Sequence, residues 1–505
     1  MIVNEVMKTA VATCAPETDL GAVIEIMRDR DCGFLPVVDS HGIVVGVPTD
    51  RDVCMAAGTK HRALARALSK RACPIRCSPG DRVSDWNARA AVVPGPELKA
   101  DHLRTFGVPA YSSEVAPLAS TRLDRWALAR IQWTVKSAPI RFILWDGFEL
   151  PSTAAPAVAT ILFKNRPALL SWVWDPELNF GEAYMSGAVE IRGDLLALLE
   201  AIYRALGTST RRPWWLWQKS NDARAARENV HHHYDMGNEF YRLWLDRDMV
   251  YTCAYFQTPD ATLEEAQIAK MDLVCRKLQL QPGERVIEAG CGWGSLALFM
   301  AKHYDVTVQG FNISAEQIAY ARNRAKDEGL VDRVEFIEDD YRNVRGTYDV
   351  FVSIGMLEHV GRPDYPTLGR VIDRSLTDRG RGLLHFIGRN QAGPLNPWIR
   401  KRIFPGAYAP TLREVFEHVL EQQALSVLDV ENLRLHYAKT LECWRQRFEG
   451  SSHQVATIFD DTFVRAWRLY LAGSEAAFTT GWMQLFQVLF ARGSSNVIPW
   501  TRISG

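Results

Sequence analysis

EAGCGWG, residues 288–294, follows the stretch Glu284-Arg285-Val286-Ile287 and sets an acid ahead of glycines at 290, 292 and 294. Residues without side chains let a backbone turn sharply and pass close to a ligand. A strand feeding such a turn, with a helix after it, is the usual holder of the polar end of a nucleotide-like cofactor. The spacing here is GxGxG, whereas the dinucleotide fingerprint is GxGxxG. The next apolar segment ends at FNIS (311–314), where a nicotinamide enzyme would present an acid to the ribose; Asn312 and Gln317 offer amides instead.

Working outward, ERVIEAG, VTVQGFN, VEFIED, YDVFVSIG and RGLLHFIG read as strands with helical patterns between them, over about residues 270 to 390. That alternation predicts an α/β, doubly wound, Rossmann-like parallel sheet. The last hundred residues read as mainly helical. Upstream, residues 120–230 form a small α+β domain: RFILWDGFEL and AVATILFK are strand-like and DLLALLEAIYRAL is helical. Residues 78–119 are rich in Pro, Gly, Ser and Ala and read as a linker. Residues 1–77 form a further α/β module, with FLPVVDSHGIVVGVPT as two short strands about the turn Asp39-Ser40-His41-Gly42.

Composition removes several function classes. With 59 basic and 59 acidic residues the net charge is zero, so no nucleic-acid partner is expected. Nine scattered cysteines read as reduced thiols of a cytoplasmic chain. The start MIVNEVMKTAVAT does not read as a signal peptide, and no apolar run is long enough to span a bilayer. His231, His232 and His233 are adjacent and so point apart; no metal site is expected.

The glycine loop, led by Glu288, resembles the S-adenosylmethionine (SAM) loop of class I methyltransferases. On that likeness Glu288, Gly290, Cys291, Gly292 and Gly294 serve the amino-acid end of the cofactor. Asn312, Ile313 and Gln317 follow the second strand, Asp340, Tyr341 and Arg342 the third, facing the adenine, and Tyr251 and Thr252 lie across the pocket.

Further motifs narrow the acceptor. FGEAYMSG (180–187), HHYDMGNEFY (232–241), YTCAYF (251–256), ISAEQ (313–317), GMLEHVG (355–361), LLHFIG (383–388), PWIRKRIFPG (397–406) and FQVLFARG (486–493) together resemble the cyclopropane-fatty-acyl-phospholipid synthases and their mycolic acid relatives, over roughly residues 120–505. The likeness makes 231–505 a SAM-dependent methyltransferase domain and 120–230 a lipid-facing one. It implies methyl transfer to a cis double bond of an unsaturated phospholipid acyl chain. A carbocation then follows, for which the aromatic faces of Tyr251, Tyr255, Phe256 and Tyr437 suit. A base must take a proton from the added methyl to close the ring. In the family that base is bicarbonate, and its contacts map onto the backbone at Cys253 and Ile387 and the side chains of Glu358, His385 and Tyr437. Three positions depart from the family pattern: Ser474 replaces a frequent cysteine, Leu357 a phenylalanine and Asn312 a threonine.

TRRPWWLWQK offers Arg211, Arg212, Trp214, Trp215, Trp217 and Lys219 for contact with a membrane surface, so the enzyme is expected on the inner face of the membrane. Residues 4–58 resemble one cystathionine-β-synthase (CBS) repeat, with FLPVVD and GVPTDRD as its marks; a second repeat begins at RALSKRACPIRC and fades into the linker. That likeness implies an adenine nucleotide at Thr49 and Asp52, and the synthase likeness implies a homodimer. Two rival readings stand beside the synthase. One is a C-methyltransferase giving a branched or methylene-bearing chain; the other is a non-catalytic SAM- or nucleotide-sensing lipid-binding protein.

Overall fold

The computed structural model describes residues 37–38, 44–46, 119–135, 138–154, 156–207 and 236–495. The chain divides into two compact units, Met1–Ser112 and Ser113–Gly505. In the first, Val37–Val38 (β1) and Val44–Gly46 (β2) pair antiparallel, the two short strands expected there. Thr49 and Asp52 lie outside the described residues, as do the linker and 208–235.

The second unit begins with a four-stranded sheet and its helices. Thr121 and Asp124 form a capping box that starts α1 (Arg122–Thr134), and Asp124 is also gripped by Arg166. The strands are β3 (Ile140–Ile143), β4 (Glu149–Leu150), β5 (Ala159–Phe163) and β6 (Val189–Gly193), in the order β4-β3-β5-β6. Helices α2 (Arg166–Trp174), α3 (Pro176–Met185) and α4 (Leu195–Leu206) complete this layer. Asn165, Asp175 and Asp194 cap them, each a short polar side chain accepting from free amides of the first turn.

Beyond it, α5 (Leu263–Leu278) buries Leu263, Ala266, Met271, Val274 and Leu278 at helical spacing. The expected alternation then appears: β7 (Arg285–Ala289), α6 (Ser295–Tyr304), β8 (Thr307–Asn312), α7 (Ala315–Asp327), β9 (Val334–Glu338) and β10 (Tyr348–Ile354). The short α8 (Leu357–Val360) and α9 (Tyr365–Ser375) lead into β11 (Leu376–Gly388), and α10 is Pro397–Arg402. The chain closes with β12 (Leu425–Asn432), α11 (Arg434–Ile458), α12 (Asp461–Thr479) and β13 (Gln484–Arg492).

The seven strands lie in the order β12-β13-β11-β10-β7-β8-β9. Pairs from β11 to β9 are parallel, and β13 inserts antiparallel between β11 and β12. The chain runs outward from β7 to β9 and returns to β10 on the other side, so the crevice beside β7 and β10 is the switch point where such sheets bind ligands. The last hundred residues are mainly helical, as expected, through α11 and α12, but they also hold two strands the sequence reading did not single out, β12 and β13, which belong to this sheet. β13 is buried at all but its last residue, so it shows no polar alternation and cannot be told from a buried helix by periodicity.

Candidate active site

The glycine loop joins β7 to α6, and its amides at Gly290 and Cys291 donate to the Phe311 carbonyl at 2.9 and 3.0 Å. This ties the loop to the end of β8. All thirteen expected cofactor residues except Gly294 line one cavity at the strand ends. Gly292 has φ +53° and nothing within 4 Å of where a Cβ would sit, so it keeps the cavity open. Gly294, at φ +86°, does a different job. A Cβ there would stand 2.5 Å from Phe336 Cζ and 2.9 Å from Ala321 Cβ, so this glycine allows α6 to seat against β9 and α7.

Glu288 is buried, its Oε2 has no hydrogen-bond partner among the described residues, and burial pushes its carboxyl up to about 8. An unpaired buried carboxylate facing an open turn fits the ammonium of the SAM amino-acid group. Asn312 donates to Gln317 Oε1 at 2.7 Å, so the two amides form one linked pair at the end of β8. Asp340 accepts from the backbone and the guanidinium of Arg342, at 2.9 and 2.8 Å, which holds the 341–343 turn against the cavity. Lys270 also lines this cavity; it is buried, donates to Thr252 Oγ1 at 3.0 Å, and burial lowers its ammonium to about 8.

A second cavity of about 550 Å³ adjoins the first, and Tyr251, Thr252, Gly355 and His359 belong to the walls of both. All five residues expected at the anion site line it: Cys253, Glu358, His385, Ile387 and Tyr437. Ile387 donates its amide to Glu358 Oε1 at 2.5 Å, leaving Oε2 buried with no partner among the described residues. Burial raises the Glu358 carboxyl to about 7, with the Ile387 amide opposing. The Cys253 thiol donates to the Ala254 carbonyl at 3.1 Å and burial pushes its pKa far up, so it stays protonated. Ser474 lines the same cavity. Tyr255 and Phe256, expected as faces for a cation, line neither cavity; Tyr470 and Phe478 stand beside Tyr251 and Tyr437 instead.

His385 is held by a partner from the far end of the chain. Lys277 Nζ lies 2.9 Å from Gln487 Oε1, which orients the amide so that its Nε2 faces His385 Nδ1 at 3.1 Å. Nδ1 therefore accepts, and the imidazole proton sits on Nε2, a buried atom with no partner among the described residues. Burial, and then the charges of Lys270 and Lys277, hold His385 well below its ordinary pKa, so the ring is neutral. A neutral imidazole and a carboxyl group thus belong to the wall of one mainly apolar cavity.

Neither Lys277, Gln487 nor Lys270 stood out in the sequence reading, yet each left a trace. Lys270 falls on the buried stripe of α5, where a charge is unexpected. Gln487 interrupts the apolar run Leu485 to Ala491. The far wall of the large cavity comes from the four-stranded layer, through Ile131, Val135, Trp172, Phe180, Leu199 and Ile202. That layer is fastened to α10 by a bidentate pair, Arg402 to Glu182 at 2.8 and 2.6 Å. Arg211 to Lys219, the expected membrane residues, lie outside the described residues.

Comparison with known proteins agrees with this architecture. Residues 221–488 match the family model for mycolic acid cyclopropane synthetase, residues 3–58 match the CBS domain, and residues 131–212 match a domain of unknown function. A probable fatty acid methyltransferase of Pseudomonas putida is 39% identical over 72% of this chain and 95% of its own length. The cyclopropane-fatty-acyl-phospholipid synthase of Escherichia coli K12 is 36% identical over 67% of this chain and 90% of its own. Among solved structures, the cyclopropane synthase MmaA2 of Mycobacterium tuberculosis is similar with a TM-score of 0.50 at 31% identity, covering 52% of this chain and 98% of that one. Mycolic acid cyclopropane synthase CmaA1, solved with SAH and CTAB, gives the same TM-score, identity and coverage. The chain belongs to the mycolic acid cyclopropane synthetase family, as a SAM-dependent methyltransferase of the cyclopropane-fatty-acyl-phospholipid synthase type.

Proposed function

We propose that the protein converts cis double bonds in the acyl chains of membrane phospholipids into cyclopropanes, with bicarbonate as the base. One observation carries the reading: Glu358 and His385 both line the mainly apolar cavity that shares a wall with the cofactor cavity, and Glu358 Oε2 and His385 Nε2 are buried with no hydrogen-bond partner among the described residues. Two unmatched polar atoms in such a place are costly unless a small polar ligand bridges them.

SAM, when bound, supplies an electrophilic methyl group to the alkene. The chain's own residues do the rest. Tyr251 and Tyr470 hold each other by their hydroxyls at 2.8 Å, so their rings are fixed beside the passage between the cavities. Their faces, with Tyr437 and Phe478, stabilise a cation on the acyl chain. The apolar lining excludes water, which would trap that cation as an alcohol. His385 Nε2–H and Glu358 Oε2 would hold the bicarbonate, which would supply the base for the proton of the added methyl, and Glu358, raised to about 7, can accept or donate there.

The printed name of the Pseudomonas relative, a probable fatty acid methyltransferase, favours a second reading in which the cation loses its proton elsewhere and a branched or methylene-bearing chain results. Product analysis separates the two. Purified protein, SAM and vesicles of monounsaturated phospholipid would be incubated with bicarbonate present or rigorously removed, and the fatty acids identified by mass spectrometry and proton NMR. A bicarbonate-dependent cyclopropane signal is expected. A methyl-branched or methylene product retains the methyltransferase and removes ring closure; bound SAM without any product removes both. At the N-terminus, the CBS match extends the reading to an adenine nucleotide at Thr49 and Asp52, which titration of the full chain with labelled ATP or AMP tests.

A further inference from the structure

Large apolar side chains that a fold leaves outside are informative when they cluster and carry one sign of charge. In α1 the inner residues Ala127, Leu128 and Ile131 are core, while Leu123, Trp126 and Trp133 are 61%, 60% and 59% exposed. Arg122, Arg125 and Arg130 are exposed on the same helix. The helix has a single acid, Asp124, and that carboxylate is buried and taken by Arg166 at 2.9 and 2.6 Å. The outward surface is therefore tryptophan and arginine with no exposed acid, and Arg130 lies 4.8 Å above the Trp133 ring.

The neighbouring α2 starts at this same ion pair, through Arg166, and ends at Trp174, the most exposed of these side chains at 87%. Both helices end at the large cavity: Ile131, Thr134 and Val135 of the α1 end and Trp172 of α2 line it. Trp133 and Trp174 thus lie one or two residues from the wall of the acyl cavity, on the solvent side of it.

We propose that the outer side of α1 together with the tip of α2 is a docking surface for an anionic phospholipid bilayer, placing the mouth of the large cavity at the lipid. The inference rests on the reading that the acyl substrate resides in a membrane. Indole rings and leucine enter the interface between headgroups and chains, and arginines meet lipid phosphates. A second copy of this chain is the poorer occupant, because a two-fold contact would set arginines against arginines. The residues of this surface are distinct in sequence from the stretch 211–219.

The test is co-sedimentation with phosphatidylglycerol-containing vesicles and with pure phosphatidylcholine vesicles, for the full chain and the variant Trp126→Ala/Trp133→Ala/Trp174→Ala. The exposed positions leave the core intact, and an unchanged thermal midpoint verifies that. The wild type is expected to favour anionic vesicles, and the variant to partition at least about tenfold less well. Turnover of vesicle substrate should fall in step, while turnover of the same phospholipid dispersed in detergent micelles is retained. Arg122→Glu/Arg130→Glu should remove the preference for anionic vesicles. Unchanged partition of the tryptophan variant overturns the proposal. So does a halved sedimentation mass with partition unchanged, which makes the surface a self-association site. Vesicle binding that the variant loses, with no fatty-acid product on vesicles or micelles, instead leaves the surface standing and sinks the proposed reaction.

Discussion

Gln487 stands directly across the antiparallel β11–β13 ladder from His385, with its amide nitrogen 3.1 Å from His385 Nδ1. Its oxygen is held by Lys277, whose ammonium is also paired with Glu431. The strand pairing thereby sets the tautomer of a histidine that lines the large cavity. Replacing Gln487 by Leu removes the donor and leaves Nδ1 buried and unmatched. Such a group costs about 1–3 kcal/mol, which corresponds to a loss of roughly 10- to 100-fold in kcat. Nitrogen-15 NMR of labelled histidine checks the cause: the wild type shows Nε2–H at His385, and the variant a tautomer mixture, with SAM affinity unchanged.

Glu358 gives a pH signature. Burial raises its carboxyl to about 7 in the folded chain, while the unfolded chain keeps an ordinary value. The folded state therefore binds a proton that the unfolded state has released. The corresponding stability is present in acid and is lost as pH rises from about 4.5 through about 7. Glu358→Gln carries no such charge, so the ligand-free variant should melt a few degrees above the wild type at pH 8, with the difference vanishing near pH 5. Calorimetry at several pH values measures it. The same variant should lose at least about a hundredfold in ring formation, as for other groups that hold a reacting ion.

The loop glycines separate binding from folding. Gly292→Ala meets only a backbone cost of about 1–2 kcal/mol at its positive φ, because no atom lies within 4 Å of the new methyl. Its expected effect is weaker SAM binding, since the methyl enters the cofactor cavity. Gly294→Ala meets the same backbone cost and also Phe336 and Ala321, so it should destabilise by several kcal/mol in total. Urea unfolding and SAM titration distinguish the two variants; equal stability loss would contradict these assignments.

The Glu182–Arg402 pair joins the outer layer to α10 beside the large cavity. Both side chains are about a quarter exposed, at 24%, so the pair contributes only about 1 kcal/mol. Glu182→Ala should raise KM for a long-chain phospholipid several-fold and leave SAM affinity alone. Equal effects on both would mean that the pair supports the whole unit and not the lipid wall.

The parallel strands, the glycine loop and the residues after each strand were legible because they depend on local order. Alternation marks β7 to β11, and site residues follow strand ends by short offsets that no distant contact alters. The motifs GMLEHVG and LLHFIG, which bring Glu358 and His385 to the wall of the large cavity, were legible for the same reason. β12 and β13 were not, because β13 is buried throughout and carries no periodic polar face.

The sequence by itself thus determined the parallel part of the sheet and most of the residues that line the cavity at its strand ends. Tertiary structure alone decided how they act. Gln487 reaches His385 across 102 residues of chain, and Lys277 reaches Gln487 across 210; such pairings follow from strand order, which no local pattern encodes. Gly294 looked like a cofactor residue until the packing of Phe336 and Ala321 around it showed a helix seat. No local pattern in the sequence set the tryptophans of α1 and α2 apart, and it is the burial of their neighbours Ala127, Leu128, Ile131 and Trp172 that leaves them facing solvent. Packing brings remote side chains together and sets which face is buried, and it is a property of the whole chain rather than of any segment.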